Sequence, residues 1–344
     1  MRNLYVGRLL KLGVVAALAL GVVAAGLFTY QPALAQEPQH QTFMVMAGGH
    51  FGGNMEALTF APQSIQVHRG DTIMWHFASF HNVHFASAPA ELITVTDVNG
   101  QPTPQINPVV AFPTIQNGAD YQGGDANSGI PVGENAFLTF SLVIDLPPGT
   151  YSYVCDIHPG MIGTIIVVED DVEIPSPAEV AEQGQTELSQ MFQAAAAAGE
   201  QLLAGASTAV ENSTFNVTVG SGDTGRVTIN QFTSPVAVIQ AGQSVTWTNP
   251  ANGIEPHSVT STAFQGEEFI PLMQDGAPPV IAVGPALLGN TQSGAEVAQG
   301  DVFNSGLFNP GQSFTLIFKD PGVYPYICVI HPGMNGVVVV EPAA

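Results

Sequence analysis

Two segments of the chain place a cysteine, a histidine and a methionine at the same spacing. They read Cys155-Asp156-Ile157-His158-Pro159-Gly160-Met161 and Cys328-Val329-Ile330-His331-Pro332-Gly333-Met334. Each brings a thiol, an imidazole and a thioether into one short loop. A soft thiolate with two imidazoles in a trigonal plane and a distant axial thioether is the donor set of a blue copper site. Each segment therefore needs a second histidine from elsewhere in the chain.

An internal repeat supplies that histidine twice. Residues 42–75 align with residues 214–247 without a gap at an offset of 172, and the cysteine segments recur at an offset of 173. Two copies of this size indicate two domains rather than a solenoid. In each copy a histidine follows the end of the aligned stretch, His81 in the first and His257 in the second.

With these histidines added, both copies resemble the cupredoxins of the plastocyanin and azurin group. That family binds one copper through an upstream histidine, here in Phe80-His81-Asn82-Val83 and Pro256-His257-Ser258-Val259, and a downstream Cys, His and Met. The C-x2-H-x2-M spacing is similar to that of amicyanin, and the resemblance covers about residues 40–170 and 213–342. It implies two type 1 copper ions, one per domain, held by His81, Cys155, His158 and Met161, and by His257, Cys328, His331 and Met334.

The predicted fold is all-β, with two tandem Greek-key β-sandwich domains joined by a helical spacer. The sandwich topology follows from the resemblance, and short β-type runs between glycines and prolines support it. These runs are 64–67, 72–75, 137–140 and 163–168, then 236–239, 244–247, 313–318 and 336–340. Apolar residues within about 178–209 recur at helical spacing.

Domain bounds follow from the same patterns. We expect a first domain at 40–172, a helical linker at 175–212 and a second domain at 213–344. Two long segments rich in Gly, Pro and Asn, at 86–127 and 262–304, are expected to be loops that bear short helices.

The N-terminal residues 1–35 have the layout of a secretory signal peptide. Three cations precede an apolar run, and Ala33-Leu34-Ala35 forms a small-residue cleavage site. An uncleaved membrane anchor is the competing interpretation, because the apolar run is about as long as the shortest membrane spans. Either interpretation predicts an exported body, periplasmic or extracellular.

Charge excludes one class of partner and favours another. The chain has 28 acidic and six basic side chains, and removal of 1–35 would leave 3 minus 28, or −25. Nucleic acid is excluded because phosphates are held by Lys and Arg. A strongly acidic body favours a cationic docking patch on a redox partner, such as a c-type cytochrome or a membrane electron-transfer complex.

Other uses of the cysteines and histidines need to be weighed. Two cysteines in an exported chain ordinarily indicate a disulfide, but these lie 173 residues apart in the same sequence frame. A zinc site with one Cys and two His is conceivable, although the thioether at a fixed position favours copper. His84 is expected to be structural. Five histidines have no histidine at the equivalent position of the other copy or lie near the N-terminus of the body, and some pair of them could bind a further metal: His40, His50, His68, His76 and His84.

The residues favour an electron carrier over an enzyme. A laccase-type copper cluster would need His-x-His pairs, and none occurs. A nitrite-reductase-type copper would need a histidine directly before the cysteine, where the chain has Val154 and Ile327. A copper-buffering protein is the alternative, and a copper oxidase or reductase is a less favoured one. We also expect the ring edges of His158 and His331 to lie near the surface as electron portals.

Overall fold

A computed structural model describes residues 40–98, 100–131, 138–220, 226–274 and 277–343. The predicted leader at 1–35 lies outside these residues. Within the described part of the chain, no helix is both long and apolar enough to cross a membrane.

The first copy is a two-sheet sandwich in which several strands alternate buried side chains with more exposed ones. Its elements are β1 (Thr42–Phe51), β2 (Met55–Ala61), β3 (Ser64–His68), β4 (Thr72–Phe77), β5 (His84–Phe85), β6 (Ile93–Val98), β7 (Gln101–Ile106), α1 (Pro108–Ala111), β8 (Ala119–Tyr121), β9 (Ala126–Asn127), β10 (Thr139–Ile144), β11 (Gly149–Val154) and β12 (Ile162–Val168). Every second residue of β4 and β10 is buried, so one face of each strand enters the core. One sheet contains β2, β1, β4, β10 and β8, and the other β3, β12, β11, β5 and β9.

Helix α2 (Pro177–Ala204) connects the copies and confirms the helical spacer. Ser176 and Glu179 form a capping box at its start. The helix ends before Gly205, earlier than the predicted 209, because glycine is a poor helix former. Its apolar side chains pack against β1 and β2, so α2 is part of the folded body rather than a free tether.

The second copy repeats the sandwich, with fewer strands in its described residues. Its elements are β13 (Thr214–Thr218), β14 (Val227–Ile229), β15 (Val236–Gln240), β16 (Ser244–Thr248), β17 (Thr260–Ser261), β18 (Phe269–Gln274), β19 (Ala277–Val283), α3 (Pro285–Leu288), β20 (Ala295–Val297), β21 (Ser313–Phe318), β22 (Gly322–Ile327) and β23 (Asn335–Glu341). The order β13-β16-β21-β20 forms one sheet and β15-β23-β22-β17 the other.

The two cores are built alike around a buried tryptophan. Trp75 meets the ring of Tyr153 edge-on at 5.3 Å between centroids, and Trp247 meets Tyr326 in the same way at 5.2 Å. Such edge-to-face pairs stabilise a core beyond the area that they bury. The prediction of two tandem sandwiches is therefore confirmed.

Strand β14 of the second copy joins the first copy's sheet at the free edge of β2. Glu56 pairs with Thr228, with Val227 opposite Ala57 on one side and Ile229 opposite Met55 on the other. Glu56 and Thr228 are equivalent in the two copies at the offset of 172. The antiparallel pairing is thus symmetric about these two residues, as in a two-fold interface between identical subunits.

The expectation of loops in the two long segments was wrong in part. They contain the short helices α1 and α3, but also the hairpins β6–β7 and β18–β19. These hairpins form a sheet of their own in the order β18-β19-β7-β6, where Ala282 pairs with Gln105. Each hairpin pairs with the hairpin of the other copy. The sequence pattern of a single copy does not reveal such pairing between copies. Of the strand predicted at 137–140, residue 137 lies outside the described residues, and β10 is Thr139–Ile144.

Candidate metal centres

The first centre brings together His81, Cys155 and His158. The Nδ1 atoms of the two imidazoles are 2.9 Å apart, and the sulfur lies 3.8 Å from Nδ1 of His81 and 3.7 Å from Nδ1 of His158. Met161 is buried in the same core. Two backbone hydrogen bonds of 3.0 Å, Cys155 N to Met161 O and Met161 N to His158 O, close the loop.

The second centre has the same construction. Nδ1 of His257 and Nδ1 of His331 are 3.1 Å apart, and Sγ of Cys328 lies 3.9 Å from the former and 3.3 Å from the latter. The loop is closed by Cys328 N to Met334 O at 3.0 Å and Met334 N to His331 O at 3.1 Å. Met334 is buried.

The donor atoms of both centres fit a soft metal ion. In each, one sulfur and two nitrogens lie within 4.8 Å of one another and are buried. A thiolate with two imidazoles and a nearby thioether matches copper in its type 1 form. Both cysteines are free, so the disulfide alternative is excluded.

Two glycines leave room for the upstream histidines. A Cβ at Gly48 would lie 2.2 Å from Nε2 of His81, and a Cβ at Gly220 would lie 2.2 Å from Nε2 of His257. Their φ angles are +80° and +73°, a region that favours glycine. The sequence repeat aligns these glycines, but it does not reveal their contact with the histidines.

The residue after each upstream histidine fixes the cysteine loop. Asn82 Oδ1 accepts a hydrogen bond from the backbone N–H of Asp156 at 2.8 Å. In the second copy Ser258 Oγ accepts from the N–H of Val329 at 2.9 Å. These bonds tie the strand-end segment that carries one ligand to the loop that carries the others.

His84 lies beside the first centre, where a carboxylate contacts each of its ring nitrogens. Its Nδ1 lies 3.0 Å from Asp156 Oδ2 and its Nε2 lies 3.0 Å from Asp125 Oδ2. The hydrogen bond with Asp156 and, secondly, that with Asp125 outweigh burial and raise the pKa of His84. Burial alone would raise the pKa of Asp156, but hydrogen bonds from His84, Ala90 N and Asn82 lower it.

The sulfur of the second centre has a different environment. The backbone N–H of Ser258 donates to Sγ of Cys328 at 3.3 Å. Burial would raise the pKa of this thiol, but its contacts with His257 and His331 lower it to about 5. These contacts favour the thiolate, which is the form that binds metal.

Glu255 is the residue that sequence reasoning missed. Its Oε1 lies 3.3 Å from Nε2 of His158 and its Oε2 lies 3.4 Å from Nε2 of His331. Burial opposes ionisation of Glu255, but the two histidines hold its pKa below the usual range. Burial likewise lowers the pKa of each histidine, and the cysteine sulfur together with Glu255 raises it to about 10.

This contact overturns the expectation of surface electron portals. His158 and His331 are only 9% and 5% exposed, and Glu255 itself is 7% exposed. Their ring edges face a carboxylate between the two copies rather than solvent. The reason is that the hairpin segments and the β2–β14 pairing bring the ends of the two copies together.

Two of the remaining histidines contact backbone carbonyl oxygens. Nε2 of His50 lies 3.0 Å from the carbonyl oxygen of Ala78, and Nε2 of His68 lies 2.9 Å from that of Val172. Among the described residues, only the two centres above bring three or more His, Cys or acidic side chains close enough together to bind one metal ion.

Comparison with known proteins agrees with this geometry. Residues 47–168 and 221–341 match the family of copper binding proteins, plastocyanin/azurin family. Plastocyanin of Synechococcus sp. is 28% identical over 161 residues, which cover 43% of this chain and 88% of that protein. Amicyanin-alpha of Methylorubrum extorquens is 32% identical over 111 residues, covering 32% of this chain and 65% of that protein.

Solved structures of amicyanin also match. That of amicyanin from Paracoccus versutus is 21% identical, covers 40% of this chain and 89% of its own, and has a TM-score of 0.23. The family match covers both copies and well over half of the chain. The chain therefore belongs to the plastocyanin/azurin family of copper-binding proteins, a blue copper electron-transfer family, and has two type 1 copper sites, one in each domain.

Proposed function

We propose that this protein carries single electrons between redox partners outside the cytoplasm. The observation that supports this most is that each copy turns two imidazole Nδ1 atoms toward one buried cysteine sulfur. The ligands in this proposal are His81, Cys155, His158 and Met161 for site one, and His257, Cys328, His331 and Met334 for site two.

In this proposal the chain holds the copper ligands in one fixed arrangement in both oxidation states. Bound copper supplies one-electron exchange between Cu(I) and Cu(II). The chain contributes rigidity, because both cysteine loops are closed by backbone hydrogen bonds and tied to the upstream histidine segment. Apolar packing around Met161 and Met334 keeps water away from the donor atoms. Rigid, buried ligands limit the rearrangement that accompanies a change of oxidation state.

We propose a carrier rather than an oxidase or reductase. Four protein donors would fill the coordination of each copper and leave no open position for a substrate. Three of the other histidines are engaged elsewhere, His50 and His68 with backbone carbonyls and His84 with carboxylates. This supports one-electron exchange as the remaining chemistry.

The setting of the carrier is part of the proposal. We place domain one at 40–172 and domain two at 213–344, with the linker at 175–212 and a leader at 1–35 that directs export. A net charge of −22 for the whole chain favours partners with a cationic docking patch, such as a c-type cytochrome or a membrane electron-transfer complex.

A redox titration of the copper-loaded protein tests this function. We expect two reversible one-electron steps. Each should be visible as the loss and recovery of an intense band at about 600 nm, the region of Cu(II)–thiolate absorption. A c-type cytochrome should exchange electrons with both centres, more slowly at high salt. Tight uptake of Cu(I) without reversible oxidation would instead identify a copper buffer and contradict the proposal.

A further inference from the structure

The copper-site ends of the two copies cover each other. Nη1 of Arg226, from the second copy, donates to the carbonyl of Pro159 at 3.4 Å, and its guanidinium lies where a Cβ of Gly160 would be. Across the interface, the carbonyl of Gly53 lies 3.7 Å from the Cβ position of Gly333. Each cysteine loop is therefore packed against the opposite copy.

Aromatic packing closes the same region from another side. Phe80, which precedes His81, stacks on Phe269 of the second copy with 5.7 Å between ring centroids. Phe80 and Phe269 also pack against an apolar cluster that contains Ile106 and Ile281 from the two hairpins. Packed side chains of both copies thus form the region between the sites.

Glu255 breaks the symmetry of this interface. It lies two residues before His257, where the first copy has Ser79 two residues before His81. Ser79 serves only its own copy, with its Oγ 2.8 Å from Nε2 of His81 and donating to Glu56. Glu255 instead reaches across to both downstream histidines. One carboxylate therefore touches a proposed ligand of each copper.

The chemistry of the three groups is complementary. Each histidine turns Nδ1 toward the cysteine sulfur. If copper is held through Nδ1, the proton of the neutral imidazole is on Nε2, which is then a donor. An ionised carboxylate has two acceptor oxygens. Oε1 of Glu255 lies 3.3 Å from Nε2 of His158, and Oε2, 3.4 Å from Nε2 of His331, is buried without a hydrogen-bond partner among the described residues, so it is open to accept from that ring. Carboxylates that accept from metal-bound imidazoles fix the ring orientation and raise the basicity of the ligand.

We propose that Glu255 joins the two copper sites into one electron-exchange unit through the chain His158–Glu255–His331. This inference rests on the proposed function. In a half-reduced chain, the site holding Cu(I) is oxidised to Cu(II) while the other is reduced from Cu(II) to Cu(I). One electron moves and no external oxidant or reductant is used. Glu255 is a positioning residue in this step.

Pulse reduction of the fully oxidised, copper-loaded protein by less than one electron per chain tests the proposal. In the wild type we expect a first-order redistribution between the sites at a rate independent of protein concentration. Glu255→Gln keeps the shape but offers one acceptor oxygen, and it should slow this redistribution roughly 10- to 100-fold. Glu56→Gln is the matched control, because Glu56 approaches His81 of site one alone; it should alter site one without slowing the exchange to that extent.

A second readout needs no electron transfer. In the diamagnetic Cu(I) protein, the Nε2–H protons of His158 and His331 should give two slowly exchanging NMR signals. At least one should be lost in Glu255→Gln, and both should persist in Glu56→Gln. Absence of both protected signals in the wild type, or equal exchange rates in the wild type and Glu255→Gln, would overturn the inference. A wild type that lacks two reversible coppers would instead overturn the proposed function.

Discussion

The two copper sites share their proposed ligands but differ in what surrounds the sulfur. In site two the backbone N–H of Ser258 donates to Sγ of Cys328 at 3.3 Å. Within the described residues, the hydrogen-bond contacts of Cys155 Sγ are with the two histidines alone. A hydrogen bond to the thiolate withdraws charge from the sulfur and favours Cu(I), so it should raise the potential of site two.

The residue that follows each cysteine in the chain also makes the potential of site two higher than that of site one. Asp156 follows Cys155 and is buried, while Val329 occupies the equivalent place after Cys328. The negative charges of Asp156 and Asp125 outnumber the positive charge that His84 can carry, so site one favours Cu(II). The comparison shows how one repeated ligand set can acquire two potentials from residues that do not bind the metal.

The largest expected effect comes from the two glycines that contact the upstream histidines. Gly48→Ala should remove copper from site one, and Gly220→Ala from site two, because the new Cβ would overlap the imidazole. Copper content should fall from two ions to one per chain. Gly242→Ala is the control, since its φ of +88° is similar but nothing lies within 4 Å of its Cβ position. It should cost about 1–2 kcal/mol of stability and retain both ions; full copper in Gly48→Ala would contradict the described contact.

The difference in potential is the next largest effect. A hydrogen bond to a charged group contributes about 1.5–3 kcal/mol, and about 1.4 kcal/mol corresponds to about 59 mV for one electron. We therefore expect the potential of site two to exceed that of site one by about 60–130 mV. Spectroelectrochemistry on Cys328→Ser, which retains site one, and on Cys155→Ser, which retains site two, assigns the values.

Asp156→Asn sharpens the same comparison. Removal of the negative charge should raise the potential of site one toward that of site two and leave site two unchanged. Equal potentials in the wild type, or a shift confined to site two in Asp156→Asn, would show that the surroundings of the sulfur do not set the difference.

A smaller effect concerns stability and pH. The pKa of His84 is raised in the folded protein, chiefly by its hydrogen bond with Asp156. Its stabilising contribution is complete below the ordinary pKa of about 6.5 and is lost as the pH rises through the raised folded value. Denaturant unfolding of the metal-free protein should therefore show a free energy of unfolding that decreases as the pH rises through that range. His158 and His331, whose pKa values are also raised, add to this decrease. His84→Thr, which copies Thr260 of the second domain, should make this decrease smaller without removing it. A decrease equal to that of the wild type would contradict a stabilising role for His84.

The repeat and the short-range patterns predicted the parts of the molecule that depend on one copy. Alternation of apolar residues identified strands such as β4 and β16, and the two cysteine loops fold as their matching sequences imply. The interface could not be predicted in this way. Glu255 carries no local signature, because its two partners belong to loops of different copies. Hairpins β6–β7 and β18–β19 were missed because they pair with each other and not with their own sandwich.

The measurement that tests the central claim most directly is the copper content of Cys155→Ser, Cys328→Ser and the double variant after loading and removal of excess metal. If each half binds its own ion through its own thiolate, the three proteins retain one, one and no type 1 copper, and each single variant keeps the charge-transfer band of its intact site. If either single variant loses both ions, or the double variant keeps both with the band intact, two independent cysteine-ligated sites are ruled out.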